Sequence, residues 1–353
     1  MITGIICEFN PFHKGHKYLI DTVKGENDGI ICVMSGNFVQ RGAFAVYDKF
    51  TRAKTALENG ADLVIELPCA YSLKSAEGFA KAGIRLLEKT NVVNQIAFGA
   101  ECDDIAKLTA AAKKIEELDS EIKAELKKGI SYPAARKNAV KSDLLDTPNN
   151  ILAIEYIKAA SIPCEAIKRI GKGHDSDDET YSASAIRQTL LDEDICTIKN
   201  CEKAILAKLR TMNENDFLQI EDVSEGLENR IVDAVRVSIS LDEIYDNVKT
   251  KRYTHSRIRR IILRAYLGIT KDYCKNVPYI RILGFNAKGK EILSKMKKKA
   301  DLPVISRYSD VNSLDDYGRM LFELECRCTD LYNLGYKTPL PCGTEQRSKV
   351  IIL

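Results

Sequence analysis

Short, nearly unbroken apolar runs punctuate the first half of the chain, at residues 2–9 (ITGIICEF), 29–34 (GIICVM), 61–68 (ADLVIELP), 93–99 (VNQIAFG) and 164–171 (CEAIKRIG). Runs of this length without polar alternation read as strands buried on both faces. The segments between them carry helical spacing. It predicts helices from near His16, over 48–59 with Gly60 as the stop, over about 75–89, over 103–128, over 148–160 with Asn149 or Asn150 as cap, and from Tyr181 with Ser182 or Ser184 as cap. Strands alternating with helices on short spacings predict an α/β fold, a Rossmann-like doubly wound parallel sheet. Beyond about residue 195 the strand signal fades, and LRTMNENDF, EGLENRIVDAVRV, LDEIYDNV and THSRIRRIILRAYLG are all helical in period. The expected division is an α/β domain over 1–195 and a mainly α-helical domain over 196–353, with a small α/β element around 284–310.

A length of 353 residues suits two domains. Hydrophobic residues at 45% and charged residues at 29% are ordinary for a globular chain and exclude wholesale disorder. No apolar run approaches the roughly 18 residues of a membrane span, and the first residues lack the basic start and cleavage site of a signal peptide. A cytoplasmic protein without a membrane partner is expected. The 11 cysteines form no CxxC pair and sit mostly inside apolar runs, as reduced, buried thiols do. Charge changes the picture more. Residues 246–300 hold 16 Lys and Arg against 3 Asp and Glu, a local +13; with +3 for the whole chain, the remainder carries −10. A basic block in an otherwise acidic chain is the footprint of a polyanion-binding surface.

The candidate chemistry begins where the first strand meets the first helix. Two of the four histidines, His13 and His16, flank Gly15 in Phe12-His13-Lys14-Gly15-His16. A helix N-terminus offers unpaired N–H groups and the positive end of its dipole to an anion. Gly15 permits close approach of backbone to phosphate, Pro11 stiffens the loop, and imidazoles can donate to phosphoryl oxygens as charge develops. The catalytic candidates are therefore His13 and His16. Glu8 is odd inside an apolar run: it is either a site residue or hydrogen-bonded to backbone. His174 lies in an acidic loop with Asp175, Asp177 and Asp178, whose spacing matches no EF-hand or zinc pattern, so no protein-ligated metal is expected.

The HxGH stretch resembles the signature of the nucleotidylyltransferase superfamily, and Ser182-Ala183-Ser184-Ala185-Ile186-Arg187 resembles its second signature. The wider pattern GIICEFNPFHKGH, MSGNFVQRG, DKFTRAKTALENGADLVIELP, FGAE, PNNILAIEYIKA and KRYTHSRIRR is similar to the bacterial tRNA(Met) cytidine acetate ligases, from the first strand to at least Arg260. The resemblance implies a sheet of the nucleotidylyltransferase type and a two-step reaction. ATP and acetate would give acetyl-adenylate and pyrophosphate, and the acetyl group would pass to the exocyclic amine of the wobble cytidine of elongator tRNA(Met). It further implies an ATP-binding segment comprising Cys7, Glu8, Phe9, Asn10, Pro11, Phe12, His13, Lys14, Gly15, His16, Lys17, Tyr18, Leu19 and Ile20. Gly99, Asn150, Arg169 and Ile170 follow as further ATP contacts, and Ser184 and Arg187 as partners of the β- and γ-phosphates. Mg2+ is expected only as companion of the nucleotide.

Several of these residues have a simpler reading beside the functional one: Gly99 a turn, Asn150 a helix cap, Arg169 a surface charge. Gln40 and Arg41, at a strand's carboxyl end, would line the acetate pocket or reach the cytidine. Thr254 can cap a basic helix on which Arg257, Arg260 and Arg264 fall on one face, with Lys251, Arg252 and Arg259 nearby. Such a rail of guanidiniums suits RNA phosphates, and these six residues are the tRNA-binding candidates. Two rival readings use part of the pattern. A plain nucleotidylyltransferase passing AMP to a small phosphorylated acceptor needs no basic C-terminal half, and an RNA-binding nucleotide sensor needs no intact histidines. The sequence leaves the oligomeric state open.

Overall fold

The computed structural model describes residues 1–25, 28–170, 183–190, 194–224 and 226–353. Its strands are β1 (Ile2–Cys7), β2 (Gly29–Ser35), β3 (Phe38–Val39), β4 (Ala43–Phe44), β5 (Leu63–Leu67), β6 (Gln95–Ala100), β7 (Cys164–Lys168), β8 (Ile280–Phe285), β9 (Val304–Ile305) and β10 (Ile351–Ile352). The main sheet runs β10-β8-β5-β2-β1-β6-β7, with β9 paired to β8. The block from β5 to β7 is parallel throughout, and β8 joins β5 antiparallel. The strand order reverses between β1 and β6, and ligands of doubly wound sheets bind outside the carboxyl ends at such a point.

The helices of the first half are α1 (Lys14–Val23), α2 (Lys49–Glu58), α3 (Cys69–Ser72), α4 (Ala76–Lys89), α5 (Ile105–Glu117), α6 (Asp119–Leu126), α7 (Tyr132–Val140), α8 (Pro148–Ala159) and α9 (Ala183–Thr189). Those of the second half are α10 (Glu202–Arg210), α11 (Glu214–Leu218), α12 (Leu227–Val237), α13 (Leu241–Val248), α14 (His255–Leu267), α15 (Ala287–Lys299), α16 (Asp316–Tyr332) and α17 (Thr344–Arg347). The expected doubly wound sheet and helical C-terminal part are both present. The helix read over 103–128 is two, because the chain bends at Leu118, which ends α5 and starts α6.

Strand alternation divides the core. Ile5, Cys7, Ile30, Cys32, Met34 and Val64 pack with Ile20 and Val23 of α1 and Ala53, Ala56 and Leu57 of α2. Ile6, Ile31, Val33 and Ile65 face the other way, into a larger core with α4, α8, α14 and α16. This period of two decides which side chains meet at the sheet's carboxyl edge.

The sheet does not respect the division expected at 195/196. Strands β8, β9 and β10 all come from the C-terminal part and extend the N-terminal sheet beyond β5. The run YIRILGF gives a weak strand signal in the sequence, because Arg281 interrupts it within a basic block. That charge is answered inside the fold: Arg281 Nη1 donates to Glu66 at 2.8 Å and Nη2 to Glu345 at 2.5 Å.

Candidate active site

The loop leaving β1 carries Phe9 at φ 46 and a cis Asn10–Pro11 peptide before His13 caps α1. His13 Nδ1 accepts the Gly15 N–H at 3.1 Å, and His16 Nδ1 accepts the His13 N–H at 3.3 Å. An imidazole accepting through Nδ1 holds its proton on Nε2, so each ring keeps one donor opposite its anchor. The rings stack with centroids 3.6 Å apart, and Phe9 and Phe12 pack against His16. Burial, reinforced by Arg169 and Arg187, pushes the His13 pKa down to about 4; burial, His13 and Arg169 lower that of His16. Both are neutral donors at neutral pH. The helix start offers fewer open N–H groups than the sequence suggested. Gly15 N–H goes to His13, and those of His16 and Lys17 go to the His13 carbonyl. The dipole and the two imidazoles remain.

Gly15 is held to its identity by its neighbour. A Cβ there would stand 2.9 Å from His13 Cε1 and 3.0 Å from Nδ1. Gly15→Ala is expected to displace the His13 ring and lower turnover at least tenfold, while moving the midpoint of thermal unfolding by only a few degrees; unchanged turnover would show that the ring position is not critical.

The histidines open into a cleft of about 430 Å³. Its floor is the end of β1 (Cys7, Glu8, Phe9, Asn10), and its sides include Gly99, Arg169 and Ile170 at the ends of β6 and β7 and Ser184 and Arg187 on α9. Arg187 Nη1 donates to the Asn10 carbonyl at 2.7 Å and Nη2 to Ser184 Oγ at 3.0 Å, tying α9 to the HxGH loop. Tyr18, Leu19, Gln40 and Arg41 complete the lining from the predicted set.

Glu8 is the acidic group of that floor. It accepts the Gln40 N–H at 2.6 Å, and burial raises its pKa against the opposing pull of that N–H, Arg41, Arg52 and Arg187. Arg52, 1% exposed, donates to the carbonyls of Glu8 (2.6 Å), Ser35 (3.1 Å), Tyr47 (2.9 Å) and Gly36. It thereby fixes the carboxyl ends of β1 and β2 beneath the cleft. The β3–β4 hairpin carries Gln40, whose Nε2 donates to the Lys74 carbonyl at 3.2 Å.

Some predicted residues lie elsewhere. Pro11, Phe12, Lys14, Lys17, Ile20 and Asn150 are not among the lining residues. Ile20 is in the apolar core, and Lys17 pairs with Asp21 one turn on. Asn150 is 4% exposed; its Oδ1 accepts the Cys102 N–H at 2.9 Å and its own N–H goes to Glu101. Its neighbour Asn149 reaches the cleft instead, with Nδ2 donating to Glu101 at 2.6 Å. Phe79, Phe98, Leu152 and Tyr156 also line the cleft. Sequence reading missed them because each looks like an ordinary core residue of its own element. His174 and its aspartates, with Tyr181 and Ser182, lie outside the described residues.

The basic block divides into two surfaces. Arg259 of α14 is exposed, stands 5.5 Å from the Tyr245 ring and lines the cleft mouth. It is placed there by Gly42, at φ +74, which lies against the α14 backbone: a Cβ on Gly42 would sit 2.7 Å from Arg259 C and Arg260 N. Lys251 is exposed and Arg252 half-buried just before this helix. The rest of the expected rail is not exposed. Arg264 is 1% exposed and donates to Glu221 and the Ala70 carbonyl, both at 2.9 Å. Arg260 is buried, and Arg257 spends its guanidinium on the Asp222 carbonyl. Helix α14 packs on several sides at once, so a face that helical counting turns outward is covered too. The lysines of α15 lie at the opposite edge of the sheet, where Ile292 covers Gly29 and Gly289 touches Asp62, at the amino ends of β2 and β5.

With this geometry in view, comparison with known proteins is specific. The HIGH nucleotidyl transferase family matches residues 1–198 and 191–347. The tRNA(Met) cytidine acetate ligase of Clostridium kluyveri is 42% identical, with 87% of this chain and 89% of that protein aligned. That of Acetivibrio thermocellus is 36% identical over the whole of both. Crystal structures of Thermotoga maritima TmcAL, 32% identical, superpose with TM-scores of 0.91 for the apo form (100% of this chain, 99% of that one) and 0.90 for the form bound to alpha-thio ATP (99% of each). By descent and by fold, this chain belongs to the tRNA(Met) cytidine acetate ligases among the HIGH nucleotidyl transferases.

Proposed function

We propose that the protein is an ATP-dependent ligase that acetylates a tRNA cytidine in two steps. ATP and acetate react first: an acetate oxygen attacks the α-phosphorus, pyrophosphate leaves, and acetyl-adenylate remains. The exocyclic amine of the wobble cytidine of elongator tRNA(Met) then takes the acetyl group, giving N4-acetylcytidine and AMP. The observation that carries this reading is the paired, neutral His13 and His16 at the start of α1, facing a cleft flanked by Arg169, Arg187 and Ser184, in a chain 36–42% identical to proteins named for this activity.

In the first step the two Nε2–H groups meet the α-phosphoryl oxygens as charge builds in the in-line displacement. Arg187, Ser184 and Arg169 hold the β- and γ-phosphates and so orient the leaving pyrophosphate. Mg2+ arrives with the nucleotide. Residues 1–195 supply this chemistry, and residues 196–353 bring the basic edge of α14 to its mouth. Arg259, with Lys251 and Arg252 close by in sequence, engages the RNA backbone; phosphate contacts position the anticodon loop without reading its sequence. The described residues include no helix long and apolar enough to cross a membrane.

Exchange of labelled pyrophosphate into ATP tests the first step: it should require acetate and proceed without tRNA. Exchange driven instead by a phosphorylated acceptor would favour plain nucleotidyl transfer. The second surface is tested by Arg259→Glu. The KM for tRNA should rise about tenfold at low salt and by less at high salt, as for a lost phosphate contact. A KM within twofold of wild type would remove Arg259 from the RNA surface.

A further inference from the structure

The cleft straddles the end of β1, and its two halves lie on opposite faces of the sheet. Ile5, Cys7 and Phe9 pack on the side of α1, the helix that carries the histidines. Ile6 packs on the other side, with Phe79 of α4, Phe98 of β6 and Tyr156 of α8. By the strand period, Glu8 follows Ile6. Its carboxyl accordingly shares electrostatic reach with Tyr156, and all five of these residues line the cleft. The half-site has aromatic walls, Phe98 and Tyr156 having ring centroids 5.6 Å apart. It also holds two polar groups with unused capacity. Glu8 has one carboxylate oxygen on the Gln40 N–H and a second with no hydrogen-bond partner among the described residues. Tyr156 is 5% exposed, and its hydroxyl has no such partner either.

We infer that this half-site receives the cytosine base and that Glu8 accepts a proton from its exocyclic amine during acetyl transfer. The proposal rests on the ligase reading above. The base stacks among Phe79, Phe98 and Tyr156, and the Tyr156 hydroxyl bonds to its polar edge. The amine nitrogen forms a bond to the acetyl carbonyl carbon, the bond from that carbon to the adenylate oxygen breaks, AMP leaves with the electron pair, and one amine proton passes to the free oxygen of Glu8. Glu8 faces Arg41, Arg52 and Arg187 as well as Cys7 and Tyr156. Burial raises its pKa while the three arginines oppose the rise, which leaves a carboxyl that takes up a proton more readily than an exposed one.

The test uses full-length enzyme with tRNA and separates the two steps. Acetate-dependent pyrophosphate exchange reads the first, and single-turnover acetylation of tRNA by enzyme preloaded with acetyl-adenylate reads the second. Glu8→Gln preserves shape and the bond from Gln40, and should slow transfer at least 100-fold with a much smaller effect on exchange. The wild-type rise of the transfer rate with pH should be absent in the variant. Tyr156→Phe keeps the ring and guards against misfolding; it should slow transfer about tenfold, again by more than it slows exchange. Equal losses in both steps, or transfer by Glu8→Gln within threefold of wild type, would overturn the assignment. Wild-type enzyme that fails to acetylate tRNA would instead overturn the ligase reading itself.

Discussion

His16→Ala is expected to lower acetate-dependent pyrophosphate exchange by about 10²–10³-fold, the usual cost of removing one preorganised donor from a site where negative charge develops. The loss should fall on kcat, with the KM for ATP within a few-fold of wild type, because the donor strengthens its bond only as the phosphorus becomes crowded. His16 also accepts the His13 N–H, so removing it loosens the second ring, and the double variant should lose less than the two single losses combined. Exchange within tenfold of wild type would refute a transition-state role. The pH dependence carries a separate check. The His13 pKa falls from an ordinary 6.5 to about 4 on folding. A base whose pKa falls contributes stability that is present above 6.5 and lost as pH drops toward 4. In the same window the acting species at His13 is the neutral Nε2–H, so exchange should hold level from pH 8 to pH 6. A rise on acidification across that range would identify imidazolium as the working form instead.

Such a result would bear on how much of the site can be read from the chain. The HxGH junction was legible because strand, loop, glycine and histidines are contiguous, and local order alone brings them together. Ser184 and Arg187 were legible as a motif, although only the fold puts Arg187 on the Asn10 carbonyl. The parallel block from β5 to β7 followed from uninterrupted apolar runs. What escaped depends on contacts distant in sequence. Asn149 and Asn150 are indistinguishable until the Cys102 N–H takes the side chain of Asn150 and leaves Asn149 at the cleft. Tyr156 and Phe98 read as core until a cleft opens beside them. Arg264 read as an RNA contact because the sequence could not reveal that Glu221 and Ala70 enclose it. Strand β8 was hidden by a charge whose partners lie 215 and 64 residues away.

Those partners belong to a network whose disruption should unfold the protein most readily. Lys49, at the start of α2, lies within 2.5 Å of Glu66 on β5 and also pairs with Glu345 of α17. Arg281 on β8 bonds the remaining oxygens of both carboxylates, and Thr329 of α16 donates to Glu345. Two cations face two anions, all within 9% side-chain exposure. Burial, together with Glu66, pushes the pKa of a third carboxyl, Glu325, up to about 8. Lys49→Met would leave two carboxylates to one guanidinium in a dry site, at a cost of about 3–5 kcal/mol, readable by urea unfolding at pH 7. Burial alone would raise the Glu345 pKa; Arg281 and Lys49 overcome it and bring it down to about 2, from 4.5. A carboxylate depressed on folding contributes stability that is present above 4.5 and lost as pH falls toward 2. The penalty of Lys49→Met depends on that ionised carboxylate, so it should shrink as unfolding is repeated from pH 7 down to pH 3. A penalty below about 1 kcal/mol at neutral pH, or one that grows on acidification, would contradict the network. Lys49 N–H also donates to Asn37 Oδ1 at 2.8 Å, and Asn37 Nδ2 donates to Thr329 at 3.2 Å. Ala45 N–H reaches the Asn37 carbonyl, so the loop that carries Gln40 and Arg41 is moored to the same cluster. Lys49→Met keeps the backbone N–H that holds Asn37, so its penalty should fall on stability rather than on the KM for tRNA in the fraction that stays folded.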